Sequence, residues 1–171
     1  MDGPAELMKG LAEQAGYLSA HAIWCVSDGE PLIPLIGAEL EGGKQTLLRF
    51  LDEEKLERAV EKAKENFLGN HQRALLATLI YDGYVTLPDG KTDALVVESR
   101  IFCEPPVVLK MLVPYRSSDH TEGFAVFRPK FLELSGSESK DFDALGLAFF
   151  AGVDSHEKGA AVWNRYIDQG R

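Results

Sequence analysis

Between residues 72 and 134 the chain strings together strand-like runs with no room for a helix between them, and this constrains the fold more than any other feature. The runs are "RALLATLIYDG", "YVTLPDG", "TDALVVESRIF", "VVLKMLVPYR" and "FAVFRPKFLEL", separated by Asp-Gly, Pro-Asp-Gly, Glu-Pro-Pro and the 117–123 segment. Parallel neighbours need a crossover of about a dozen residues or more, so connections this short dictate antiparallel pairing, a meander.

Upstream, "GPAELMKGLAEQAGYLSA" repeats Ala5, Met8, Leu11, Ala12 and Ala15 at helical spacing, with Glu6, Lys9, Glu13 and Gln14 outside. Pro4 suits the first turn of that helix and Gly16 its end. "AHAIWCVS" then runs to the Asp28-Gly29 turn. "PLIPLIGAEL", with its two prolines, reads as an edge strand or extended loop, and Gly42-Gly43 turns it into the short strand "KQTLLRFL".

"DEEKLERAVEKAKENFLGN" has the strongest helical pattern. Asp52 is the predicted N-cap, Leu56, Ala59, Val60, Ala63 and Phe67 form the stripe, and Gly69-Asn70 is the stop. After the polar "SGSESKD", "FDALGLAFFAG" fits helix or strand. "DSHEKGAAVWNRYIDQG" fits a closing helix, with Asp154 as cap and Glu157 as its reciprocal partner. The expectation is one α+β domain over residues 1–171, a mainly antiparallel sheet of about six to eight strands with three to four helices packed on one face.

Lys and Arg number 18 against 27 Asp and Glu, a formal net charge of −9. Such a surface is repelled by phosphate backbones and anionic membranes, so neither nucleic acid nor membrane is expected as a partner; solubility, or a basic protein partner, suits it better. No apolar run approaches the roughly 20 residues of a membrane span. "MDGPAELMKG" lacks a basic segment followed by an apolar one, so a cytoplasmic chain without a signal peptide is expected. Cys25 and Cys103 form no CxxC pair and are expected as buried free thiols.

Cofactor and metal motifs fail when tested. "GAELEGGKQT" puts five residues rather than four between Gly37 and Gly43 and has Gln45 after Lys44, so it is not a phosphate-binding loop. "HEKGA" has Ala160 where a zinc-binding helix needs a second histidine, and His21, His71, His120 and His156 are isolated along the chain. No metal and no cofactor is therefore assigned. "LSGSES" lacks the second glycine of a nucleophile elbow. On a strand, Cys25 and His21 would share a face some way apart, and Cys25 reads as a small core residue. Asp28-Gly29, Asp82-Gly83 and Asp89-Gly90 read as turns, with Asp82 and Asp89 at opposite ends of a short strand rather than as a carboxylate pair.

Polar groups concentrate in "VPYRSSDHTEGFAVFRP", residues 113–129. Lys110, Arg116, Arg128 and Lys130 flank its loop at even positions; an even-to-even register would gather all of them on one face, and an odd register would split them. Arg116, His120, Arg128 and Lys130 are the predicted binding residues. His120 beside Asp119, near Ser117 and Ser118, is the catalytic alternative, although adjacent loop residues rarely make such a group. Ser, Asp, Thr and Gly are also ordinary loop residues, and Glu98 opposite Lys110 would be an ordinary cross-strand pair.

The function expected is a non-catalytic binding protein, an acidic partner or inhibitor of a basic protein. The alternative is a small hydrolase or anion-ligand-binding enzyme with its site at the 116–128 hairpin end. A third reading, a homo-oligomer, is favoured if an apolar strand edge is unpaired in the monomer.

Overall fold

Antiparallel pairing joins every strand of the computed structural model, which describes residues 4–52, 55–138 and 140–168. In chain order the elements are α1 (Pro4–Val26), β1 (Leu35–Glu39), β2 (Gln45–Arg49), α2 (Leu56–Leu68), β3 (Leu76–Leu87), β4 (Gly90–Ile101), β5 (Val107–Arg116), β6 (Ala125–Val126), β7 (Lys130–Ser135), α3 (Phe142–Ser155) and α4 (Glu157–Tyr166). Across the sheet the order is β2-β1-β3-β4-β5, with β6 and β7 sharing the far side of β5. This is the α+β meander that the short connections dictate. Among the described residues no helix is long and apolar enough to cross a membrane.

Helices cover both faces, not one. Alternation sends Leu35, Ile80, Leu95, Val97, Leu109 and Val113 into the core shared with α1, α3 and α4. Their neighbours Ile36, Ala38, Ala77 and Leu79 point the other way and pack on Ala63 and Phe67 of α2. A strand pair that is apolar on both faces has to be covered on both, and the stripe of α2 supplies the second cover.

α1 does not stop at Gly16 but runs on through "AHAIWCV". Its apolar residues point to nearly all sides because the helix is buried between the sheet and the two closing helices. Glycine permits that burial: a Cβ on Gly16 would strike the Phe149 carbonyl, one on Gly152 the Glu13 carbonyl, and one on Gly159 the Ala20 carbonyl. The backbones of α3 and α4 therefore press directly on the backbone of α1. Trp163 of α4, fully buried, closes the corner against Phe149 and Phe150. His156 is at once the C-cap of α3 and the N-cap of α4, so no loop separates the two.

Several expected turns and caps sit elsewhere. Asp82-Gly83 is not a turn; both residues lie inside the β3–β4 ladder, opposite Leu95 and Ala94. β1 is an interior strand because Pro31 and Pro34 precede it, and β2 takes the edge. Asp52 lies ahead of α2, whose N-cap is Lys55; it accepts the Lys55 N–H and pairs with Lys62 at 3.1 Å. Glu53 and Glu54 lie outside the described residues. Asp154 belongs to α3 and leaves the capping of α4 to His156. Cys103 is exposed, not buried.

Gly16→Ala is expected to lower unfolding stability by about 2 kcal/mol or more through overpacking. Gly146→Ala, at a helical position whose Cβ would meet nothing within 4 Å, is expected to raise it by about 0.5–1 kcal/mol. Urea denaturation of the two variants reads both signs.

Candidate functional site

The hairpin end is held by its own bonds. Arg116 donates from Nε to the Gly123 carbonyl at 2.7 Å and from Nη2 to the Glu122 carbonyl, and its Nη1 lies 3.3 Å from the Glu122 carboxylate. His120 accepts the Glu122 N–H at Nδ1, and the Asp119 N–H donates to Ser117 Oγ. Arg116 and His120 thus share one loop. Arg116 pairs with Ala125, Leu112 pairs with Lys130, and a bulge falls between Lys110 and Met111. Lys110, Arg116 and Lys130 consequently share the face turned away from α1, where Lys110 meets Glu98 at 3.6 Å. Arg128 falls between β6 and β7, where it lines a cleft of about 330 Å³ with Met111, Phe131 and Phe149.

A second cleft, of about 660 Å³, opens between α1, the end of α3 and the β1–β2 hairpin. That volume lies in the range of small-ligand sites. Glu13, Gln14 and Tyr17 form its α1 wall, Ser155 adds a hydroxyl from α3, and Glu39, Gln45 and Leu47 form the strand wall. Gly37 lets the Leu18 side chain settle onto β1, which seats α1 low on the sheet at this point.

Gln14 is anchored from below. Thr78 Oγ1 donates to its Oε1 at 2.8 Å and lies 2.7 Å from Ser99 Oγ, a buried cross-strand hydroxyl pair under α1. The Gln14 Nε2 is buried without a hydrogen-bond partner among the described residues. Glu39 accepts the Gln45 carboxamide at 2.8 Å, and among the described residues neither Glu13 nor Glu39 has a cation against it.

Tyr17 separates this cleft from a cluster that no local pattern announces. Its ring centroid lies 4.9 Å from that of His156, whose Nε2 is 3.1 Å from Nδ1 of His21, 135 residues away in the chain. Trp24 stands close to both imidazoles, with the Lys158 ammonium 5.0 Å from its ring centroid. His156 Nδ1 accepts the Gly159 N–H at 2.8 Å. That bond assigns the neutral tautomers: the His156 proton sits on Nε2 and is donated to His21 Nδ1, so His21 carries its own on Nε2. Burial, then His156 and Arg49, hold His21 below the ordinary histidine range.

Cys25 is one helical turn from His21, not a strand neighbour, and burial pushes its thiol up against the opposing effect of Arg49. His71 and His120 lie apart from this pair, and among the described residues no group of three or more His, Cys, Asp or Glu is placed to hold a metal.

A third polar group lies in the ladder itself. The Tyr115 hydroxyl reaches both Asp82 oxygens, at 2.8 and 2.9 Å, and Asp93 sits directly across from Tyr115. Burial raises the Asp82 carboxyl; the Tyr115 bond opposes this and Asp93 adds to it. Burial and the Asp82 charge also raise the Tyr115 phenol. The carboxylate neighbour of Asp82 is therefore Asp93, supplied by sheet register, and not Asp89.

No protein-family model, curated protein or solved structure matches this chain. The site has to be read from its own chemistry.

An acid whose pKa is higher folded than unfolded holds more protons when folded, so its cost is present at neutral pH and relieved on acidification. Asp82→Asn, which keeps an oxygen for Tyr115, is expected to stabilise the protein at pH 7 and to lose that advantage as pH falls through the carboxylate range. Urea midpoints at both pH values check this. A base held below its ordinary pKa has the opposite sign: over the interval between the two values only the unfolded chain is protonated, and stability is lost as pH falls. His156→Asp keeps a capping oxygen and gives His21 an anionic neighbour, so His21 is expected to titrate at higher pH than in the unsubstituted protein, with burial still opposing the rise. NMR titration of the imidazole signals reads the upward shift.

Proposed function

We propose that this is a non-catalytic binding protein for a basic partner, and that the partner's cation is held in the cleft between α1 and the β1–β2 hairpin. The observation that carries the reading is the pair Glu13 and Glu39: two carboxylates from different elements line one cleft, with no cation against either among the described residues. A net charge of −9 steers a basic partner toward the molecule and accelerates encounter.

A guanidinium fits the cleft's chemistry best. Its planar fork bonds two acceptors at once, and hydrogen bonds to charged groups contribute about 1.5–3 kcal/mol each where water is partly excluded. Gln14 spends its Oε1 on Thr78 and keeps only a donor, Nε2, so the guanidinium is left to the two carboxylates. Cytoplasmic residence belongs to the same proposal and is supported by the two free thiols, one of them exposed.

Fluorescence anisotropy with labelled hexa-arginine and hexa-glutamate tests the reading. Hexa-arginine is expected to bind and hexa-glutamate not to. Glu13→Gln with Glu39→Gln is expected to weaken hexa-arginine binding about tenfold, a change of about 1.4 kcal/mol. Glu57→Gln with Glu61→Gln, which removes the same charge from the exposed face of α2, is expected to leave it nearly unchanged. Equal weakening by the two pairs would mean attraction to net charge alone and would remove the cleft from the account.

A further inference from the structure

β2 ends the sheet, and the bonds at the two ends of its hairpin tell which of its groups point away from it. The Leu40 N–H donates to the Lys44 carbonyl, and the Phe50 N–H donates to the Pro34 carbonyl. Antiparallel alternation then pairs Thr46 and Leu48 toward β1 and turns the N–H and C=O groups of Gln45, Leu47 and Arg49 outward. Among the described residues β2 pairs with β1 alone. Leu47 is 46% exposed, and Leu51 just beyond it is 71% exposed. Proline, bulges and charged side chains are the usual protections of an edge; the five residues "QTLLR" carry no proline and a single charge, Arg49.

This edge complements itself. Laid antiparallel against a second copy and centred on Leu47, it sets Leu47 against the partner's Leu47 and Gln45 opposite the partner's Arg49. The outward backbone groups of each such pair exchange both of their hydrogen bonds. Within one chain Gln45 sits beside Glu39 and is bonded to it at 2.8 Å. Neighbouring strands are about 4.8 Å apart, so the partner's Arg49 stands about 10 Å, Cα to Cα, from Glu39. Extended arginine and glutamate side chains span that distance. Arg49 itself is exposed and has no acidic partner within its own chain among the described residues.

We infer that the protein assembles as a two-fold dimer through antiparallel pairing of β2, and that the cation entering each acidic cleft is Arg49 of the partner subunit. The inference takes the acidic cleft from the reading above and puts a different occupant in it, a second copy of equal net charge −9, so the dimer depends on the local Arg49–Glu39 pairing and the added ladder against an overall repulsion. A two-fold contact of this kind is isologous, so both clefts fill in one event and the assembly closes at two copies. Side chains alternate across the added ladder, so Leu47, Gln45 and Arg49 meet on the α1 face while Thr46 meets Leu48 on the other.

Sedimentation velocity of the full chain over about 1–200 µM, the range suited to a small transient interface, tests this. The wild type is expected to be a dimer in the upper part of that range. Arg49→Glu is expected to weaken dimerisation about tenfold or more, and Arg49→Glu with Glu39→Arg to restore most of it. Leu47→Lys, at an exposed position, is expected to abolish the dimer while leaving the urea midpoint unchanged. A wild type that stays monomeric throughout, or a dimer indifferent to Arg49→Glu and Leu47→Lys, overturns the inference. Hexa-arginine anisotropy on the Arg49→Glu variant, at a position that does not line the cleft, with and without Glu13→Gln and Glu39→Gln, separates the two proposals. Cleft-dependent binding with no wild-type dimer leaves the basic-partner reading standing and removes the dimer; no binding and no dimer removes both.

Discussion

Backbone-to-backbone contact with α1 is the constraint from which the rest of this structure follows. Gly16, Gly152 and Gly159 bring α3 and α4 so close that a single methyl group at any of them meets a carbonyl. With those two helices on one side and the sheet beneath, α1 has a narrow stripe left over: Glu13, Tyr17, His21 and Trp24, which are half-buried or exposed while Ala12, Ala15, Ala20 and Ile23 are fully buried. Those four residues recur at helical spacing, so one helix rotation sets the cleft wall and the imidazole pair together.

Buried polar groups are treated in two ways. The Thr78–Ser99 hydroxyls are placed opposite each other in the ladder and find a third partner in Gln14, which connects the lower layer to the cleft. Ser19 Oγ and Trp163 Nε1 are buried without a partner among the described residues. Each such group costs about 1–3 kcal/mol, and the apolar burial around Trp163 has to exceed that. Asp82 lies between these cases: it is buried enough to resist ionisation, yet Tyr115 supplies a hydrogen bond that only the folded sheet brings to it.

Much of the sheet was legible because it is written in local terms. Connection length dictated the meander, Gly42-Gly43 marked the first hairpin, and the stripe of α2 needed only its own residues for Ala59, Ala63 and Phe67, while Leu56 at its start is exposed. What local pattern could not carry was anything decided by neighbours. Asp82-Gly83 has turn composition, but its register partners Leu95 and Ala94 extend the ladder straight through it. Asp154 has the spacing of a cap, but α3 runs past it to Ser155 and the imidazole of His156 takes the position. Glu13 and Gln14 read as the solvent side of α1, which is half right: they face a cleft whose other wall comes from β1 and β2. The His21–His156 pair had no sequence signal at all, since its members are brought together only by the docking of α4 on α1.

The shared cap at His156 has a consequence for how this chain tolerates change in length. With no loop between α3 and α4, the stretch from Gly152 to Gly159 fastens to α1 at two points, opposite Glu13 and opposite Ala20. One residue inserted or deleted between those points turns the far helix by about 100° and carries its glycine off the contact. Substitution on the outer surface of this corner leaves both fastenings intact. The C-terminal corner is thus permissive in composition and strict in number, as a ruler is indifferent to its colour and intolerant of a missing division.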